Sequence, residues 1–283
     1  PLSGDAEFGW TPRFFRCPRV LDRAPDTGIF ESTRIVRGRS PLFFNPSGFC
    51  GLATVFASSN VSWILFLSMD IAILQFINHQ LVIPPLDVAM ATLSSWAAWW
   101  PFIVLAAGLG LCFGGFQARA MLVVIGLSVG ISDGLVCRNL KHLISRPRPP
   151  QVMAGVRTID LEKATPRILA MALPLQVRIS APESPAEKGK SFPSSHSSNC
   201  FAIAAVCFVF YRGRGWIAFV PAALVAMSRV YVGAHWPSDV LAGAMIGIAC
   251  GCLTYWICAF LWRRFGQRIA PVLHSAHPDL IES

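Results

Sequence analysis

Charge is what this sequence has least of. Asp, Glu, Lys and Arg make up 14% of its 283 residues, where a soluble globular chain carries about a quarter. The few charges are also segregated: none occurs in Ser40–Met69, Val88–Ala118, Ala120–Ser132, Ser191–Tyr211, Gly215–Ser228 or Val240–Trp262. A bilayer-spanning helix takes about 20 mostly apolar residues, and several of these windows reach or approach that length. An ordinary soluble domain is therefore excluded. A membrane β-barrel is excluded too, because the windows are continuously apolar rather than alternating.

Other absences narrow the field. The nine cysteines include no CxxC pair and no paired framework. Seven of them (Cys112, Cys137, Cys200, Cys207, Cys250, Cys252 and Cys258) fall within or at the ends of apolar segments, so they read as small hydrophobes rather than disulfides or metal ligands. No His/Asp cluster has ligand spacing, and no metal or other cofactor is expected. No basic stripe with interleaved aromatics lies outside the apolar segments. The net charge of +9 thus points to anionic lipid and a phosphate-bearing substrate, not to nucleic acid. No internal repeat is visible, and no short apolar core behind a basic start suggests a cleavable leader.

What is present is an all-α, multi-pass transmembrane bundle of about six spans, near 49–69, 88–113, 119–137, 196–211, 214–229 and 239–262. Residues 1–48 read as a polar, basic tail, 49–262 as the membrane domain and 263–283 as a C-terminal tail. Asp70–Gln80 has the apolar spacing of an interfacial helix, and the aromatics of "SSWAAWWPF" at 94–102 fit an interfacial belt. Six spans put both Arg-bearing tails on one side, which the positive-inside rule makes cytoplasmic. One connection disagrees: Arg138–Lys190, on the other side, holds ten Lys/Arg against four acids. A functional reason for keeping those charges outside is the preferred reading, and the 150–190 stretch within that connection reads as a loop or lid.

Three basic motifs gather on that outer face. In "KHLISRPRPP", Lys141 and Arg148 have six residues between them, Arg146 among these, and the prolines stop a helix. In "PSSH", Pro193 to His196, the serines stand where a helix should start, and unpaired N–H groups there favour an anion. In "SRVYVGAHWPSDV", Asp239 lies four residues after His235, in the first turn of a helix opened by Pro237. It is expected to accept the His235 Nδ1–H and leave Nε2 free. Three cations, two imidazoles and one carboxylate on one face suit a phosphoryl group, whose charge spreads over its oxygens in transfer.

These motifs at Lys141–Pro149, Pro193–His196 and Ser228–Asp239 resemble the three-part signature of the type 2 phosphatidic acid phosphatase (PAP2) superfamily. The resemblance covers about residues 60–262. It implies a membrane-bound lipid phosphatase working through a phosphohistidine, without metal or other cofactor. His235 is then the nucleophile, Asp239 orients it, and His196 protonates the leaving oxygen and later activates water. Lys141, Arg148 and Arg229 hold the phosphoryl oxygens, with Ser194 and Ser195. The family usually has Gly where this chain has Ser195.

Phosphatidylglycerophosphate, phosphatidate, undecaprenyl pyrophosphate and lipid A phosphate all suit the motifs, and a bacterial inner membrane with an extracytoplasmic site is the expected setting. A phosphotransferase with the same intermediate is the alternative. A haloperoxidase shares the motifs, but the known ones are soluble. A transporter is disfavoured, because its ionisable groups should sit near the midplane. Arg138 and Arg146 read as membrane-edge charges, and Asp70 and Asp133 as supporting or interfacial residues.

Overall fold

The computed structural model describes residues 68–281, apart from 163, 166–168, 171–172 and 183–185. The first expected span, 49–69, and the tail before it therefore lie almost wholly outside the described residues. Helix α1 occupies 68–75 and continues as a π-helix, Phe76–Gln80. It is followed by α2 (Pro84–Ser94), α3 (Trp96–Phe113) and α4 (Phe116–Val129). A second π-helix (Gly130–Cys137) then leads into α5 (Arg138–Ile144) and α6 (Pro149–Val152). Strands β1 (Arg157–Leu161) and β2 (Leu175–Ile179) come next. The chain ends with α7 (Ser195–Tyr211), α8 (Phe219–Tyr231), α9 (Pro237–Ile269) and α10 (Pro271–Ala276).

The protein is a transmembrane helical bundle. Among the described residues, four helical stretches are long and apolar enough to cross a membrane: Trp96–Phe113, Phe116–Val152, Ser195–Tyr231 and Pro237–Ile269. The third holds two of the spans expected from sequence. At Arg212 the backbone turns to φ 49°, and the 3-10 helix Arg212–Ala218 folds back on α7. A Cβ at Gly215 would stand 2.3 Å from the Cys207 carbonyl oxygen, so only glycine allows this approach. Helix α8 consequently starts partway along α7, with Phe219 against both Phe201 and Phe208, and 13 residues suffice to reach the site end. Of α3, the described residues bury Ala98 alone. Its exposed Trp96, Trp99 and Trp100 are placed as an interfacial belt would be.

The centre of the bundle is the α7–α9 contact. Gly243, Gly247 and Gly251 form one stripe of α9, and a Cβ on them would stand 2.5, 2.1 and 2.7 Å from the carbonyl oxygens of Ser194, Ser198 and Ala202. Small residues every fourth position let two membrane helices touch backbone to backbone. Ser197 Oγ then donates to the Val240 carbonyl at 2.7 Å, while Ser198 bonds Ser132 of the second π-helix. This ties the second π-helix, α7 and α9 together.

Departures from expectation are local. An antiparallel hairpin, with Ile159 opposite Val177, stands in the 150–190 connection. It is tethered: Asn78 donates to the carbonyls of Arg157 (2.9 Å) and Tyr231 (2.7 Å) and accepts the Arg157 N–H at 2.8 Å. Arg157 also pairs with Asp87 at 2.9 Å, and the Tyr231 hydroxyl donates to the same carboxylate at 2.6 Å. The 68–80 helix buries Asp70, Leu74, Ile77 and Asn78, so one face packs into the bundle instead of lying along an interface. Helix α9 runs past residue 262 to Ile269. The chain then doubles back, stacking His277 on Phe116 with ring centroids 4.4 Å apart.

Candidate active site

Backbone pairing brings the three motifs to one end of the bundle. The Gly189 and Ser191 N–H groups donate to the carbonyls of Ser145 (2.8 Å) and Arg146 (2.9 Å). The approach to α7 therefore runs beside the turn between α5 and α6. Ser194 N–H donates to the Asp239 carbonyl at 3.0 Å, fixing the start of α7 to the first turn of α9. His235 lies in the turn before α9. That turn needs Gly233, whose φ is +71° and whose Cβ would come within 2.4 Å of the Arg157 carbonyl oxygen.

The candidate residues from separate motifs are neighbours. Lys141 Nζ donates to Ser195 Oγ at 2.5 Å. Arg229, Lys141 and Arg148 stand close enough to His196 for their charges to act on it, with the His235 imidazole also within electrostatic reach, and Arg229 and Arg148 act on His235 in the same way. Arg229 is held from behind, with Nη1 donating to the Ser94 carbonyl at 3.1 Å and bonding the Ser94 hydroxyl at the end of α2. Its Nε is buried without a hydrogen-bond partner among the described residues, as is the Ser194 hydroxyl. Ser194 occupies the N-cap position but makes no side-chain cap bond, contrary to what its residue type suggests. Unpaired buried donors are costly. With Arg229 close enough to both imidazoles to act on them, they suit the oxygens of an anion.

The His–Asp relation differs from expectation. His235 Nδ1 stands 3.7 Å from Asp239 Oδ2, longer than a hydrogen bond. The reason is that the carboxylate is already engaged. Its Oδ2 accepts the Ser191 hydroxyl at 2.5 Å and the Trp236 N–H at 3.1 Å, and its Oδ1 accepts Arg146 Nη1 at 2.7 Å. The Ser191 hydroxyl, 3.5 Å from Nδ1, is the shared neighbour of both. His235 is 3% exposed. Burial holds its pKa below the ordinary imidazole value, the Asp239 carboxylate opposes this, and the Arg229 and Arg148 charges push it further down. Its imidazole is thus neutral, with a lone pair available, at neutral pH.

Arg146 and Asp70 take a larger part than their sequence suggests. Arg146 Nη2 pairs with Asp70 Oδ2 at 2.6 Å, while its Nη1 also reaches Ser238 Oγ at 2.7 Å. Its guanidinium lies 5.0 Å from the centre of the Trp236 ring. Asp70 in turn accepts the Ser238 N–H at 2.9 Å and the Ser238 hydroxyl at 2.5 Å, capping α9 from a different helix. Ser191 and Ser94 were also not singled out by sequence. The available signal was an isolated acid at the edge of an apolar run and a serine-rich approach to His196.

The PAP2 superfamily model matches residues 117–263, the region that holds all of these motifs. The chain belongs to the PAP2 superfamily. Among characterised relatives it is similar to the bacitracin transport permease protein BcrC of Bacillus licheniformis, 34% identical over 94 residues that cover 30% of this chain and 46% of that protein. It is also similar to the undecaprenyl-diphosphatase BcrC of Bacillus subtilis, 33% identical over 81 residues, or 29% and 38% of the two chains. The lipid A 1-phosphatase of Rhizobium etli is 48% identical over 60 residues, or 20% and 25%. The chain spans less than half the length of these relatives. The crystal structure of Aquifex aeolicus LpxE is 26% identical and aligns over 65% of this chain and 93% of that one, with a TM-score of 0.44.

In this PAP2 chain the serine at 195 gives Lys141 a partner that a glycine would not. Among the described residues, no group of three His, Cys, Asp or Glu side chains stands close enough to hold a metal ion, and the seven described cysteines are free thiols.

Proposed function

We propose that this PAP2 protein is an integral membrane phosphatase that hydrolyses a lipid phosphomonoester or diphosphate through a phosphohistidine, without metal, on the extracytoplasmic face of a bacterial inner membrane. One observation carries the reading: His235, His196, Lys141, Arg148 and Arg229, from three distant motifs, share one polar end of an otherwise apolar bundle.

The neutral His235 donates its Nε2 lone pair to phosphorus, forming the N–P bond as the bond from phosphorus to the leaving oxygen breaks. That oxygen takes the electron pair and a proton from His196. Lys141, Arg148 and Arg229 balance the charge spread over the equatorial oxygens, with Ser194 and Ser195 as neutral donors. The Nδ1–H side of His235 becomes cationic, facing the Asp239 carboxylate and the Ser191 hydroxyl. In the second half, His196 takes a proton from water, the hydroxide attacks phosphorus, and the N–P electron pair returns to Nε2 as phosphate leaves.

Purified protein assayed for phosphate release on phosphatidate, phosphatidylglycerophosphate, undecaprenyl diphosphate and lipid A tests this. Release from at least one lipid, lost in His235→Ala, is the expected result. Release from none, or undiminished release by the variant, contradicts it.

A further inference from the structure

The candidate phosphate site does not use all the positive charge on its face. Beside Lys141 lies a cavity of about 500 Å³ lined also by Asp133, Gly134, Arg138, His142 and Lys190. Three cations face one acid there. Elsewhere on this face Arg146 and Arg157 have carboxylate partners. Among the described residues, no ion pair joins Arg138, Lys141 or Lys190 to an acid. Like charges gathered round a concavity raise the local potential for anions, and they repel one another when nothing fills it.

The spacing gives the cavity a direction. Gly134, Arg138 and Lys141 stand four and three residues apart on a continuous helical run, which puts them on one face, one turn after another. From Lys141, beside Ser195 at the candidate phosphate site, the face passes Arg138 and then Gly134, toward the apolar segment that begins with α4. At Gly134 a Cβ would meet nothing within 4 Å, so there is room for a chain to pass. Lys141 belongs to both places, bonding Ser195 on one side and lining the cavity on the other.

We infer that this cavity is a second anion subsite, taking the phosphate through which a lipid diphosphate joins its tail while the terminal phosphate stands between His196 and His235. The inference rests on the phosphatase reading above. Arg138 and Lys190 are its specificity residues, and the lipid tail leaves past Gly134. When the terminal P–O bond breaks, the electron pair goes to the bridging oxygen of a leaving phosphate. Arg138 and Lys141 stabilise the charge developing there.

The test compares a polyprenyl diphosphate with the monophosphate of the same tail, using wild type, Arg138→Ala, Arg138→Lys and Lys190→Ala. Loss of one charge-assisted contact is expected to lower kcat/KM on the diphosphate by about ten-fold. The loss on the monophosphate should be much smaller, and Arg138→Lys should recover part of the diphosphate activity. Inorganic pyrophosphate should inhibit wild type more strongly than inorganic phosphate, and Arg138→Ala should narrow that gap. Equal losses on both lipids with an unchanged inhibitor ratio overturn the subsite while leaving the phosphatase reading in place. Hydrolysis of neither lipid by wild type overturns the subsite too, and a lipid panel that is negative throughout overturns the phosphatase reading as well.

Discussion

Arg146 Nη1 stands 2.7 Å from Oδ1 of Asp239, the carboxylate nearest the candidate nucleophile. The same guanidinium is shared with Asp70. Two buried carboxylates therefore divide one cation, and the cluster keeps a net negative charge beside His235. That charge is what a histidine becoming cationic during attack requires. An Arg146–Asp239 pair alone would neutralise it.

Asp70→Asn removes the second carboxylate without removing bulk. Arg146 then belongs to Asp239 alone, and the expected result is a fall in kcat of about ten-fold with little change in KM, since the loss is felt mainly in the transition state. Thermal unfolding should show a loss of about 2 kcal/mol, as for a charged hydrogen-bond partner. A variant that loses stability but keeps kcat would make Asp70 purely structural.

The pH profile follows from the lowered pKa of His235. Attack needs the neutral imidazole, and the folded-state value lies below the ordinary 6.5. Activity should therefore persist as pH falls through 6.5 and be lost only below it. Asp239→Asn removes the opposing carboxylate and should move the acid limb lower still, while Arg148→Ala should move it up. The measurement is kcat/KM against pH, and a wild-type limb at or above 6.5 counts against this electrostatic account.

His196→Ala should act through the leaving group. An alkoxide needs a proton as it departs, whereas a nitrophenolate does not. The expected loss is about 1000-fold on a lipid phosphomonoester, within the range for a general acid, and far less on a nitrophenyl phosphate. Equal losses on the two substrates would remove His196 from the acid role.

The hairpin depends on one asparagine. Asn78→Ala strands the Arg157 and Tyr231 backbone groups that it satisfies, each costing about 1–3 kcal/mol when buried and unpaired. Faster proteolysis within the 150–190 connection, with α7 and α9 still protected, is the expected pattern. Unchanged cleavage there would mean that Asn78 is not the tether.

The membrane bundle was legible because lipid exposure demands long uncharged runs, although the described residues hold four membrane-length stretches and the run expected at 88–113 is divided at Ser95 between α2 and α3. The three motifs were legible because their residue types have a common chemical use. The α7–α9 contact was also written in the sequence, as Gly243, Gly247 and Gly251 at every fourth position, a pattern that reads as packing only once the partner helix is known. Arg146 and Asp70 were harder. Each is an ordinary charge at a membrane edge until the fold closes a gap of 76 positions between them. The 3.7 Å His235–Asp239 separation was beyond reach of spacing, which sets which residues share a turn but not which donor reaches a carboxylate first.

The most direct test of the central claim is rapid-quench trapping of the phosphoryl group on the protein. A hydrolysed lipid phosphate should leave a phosphoryl label on His235 at early times, in alkaline quench, and the label should decay as free phosphate appears. A label on another side chain, or rapid turnover with none on the protein, contradicts the account.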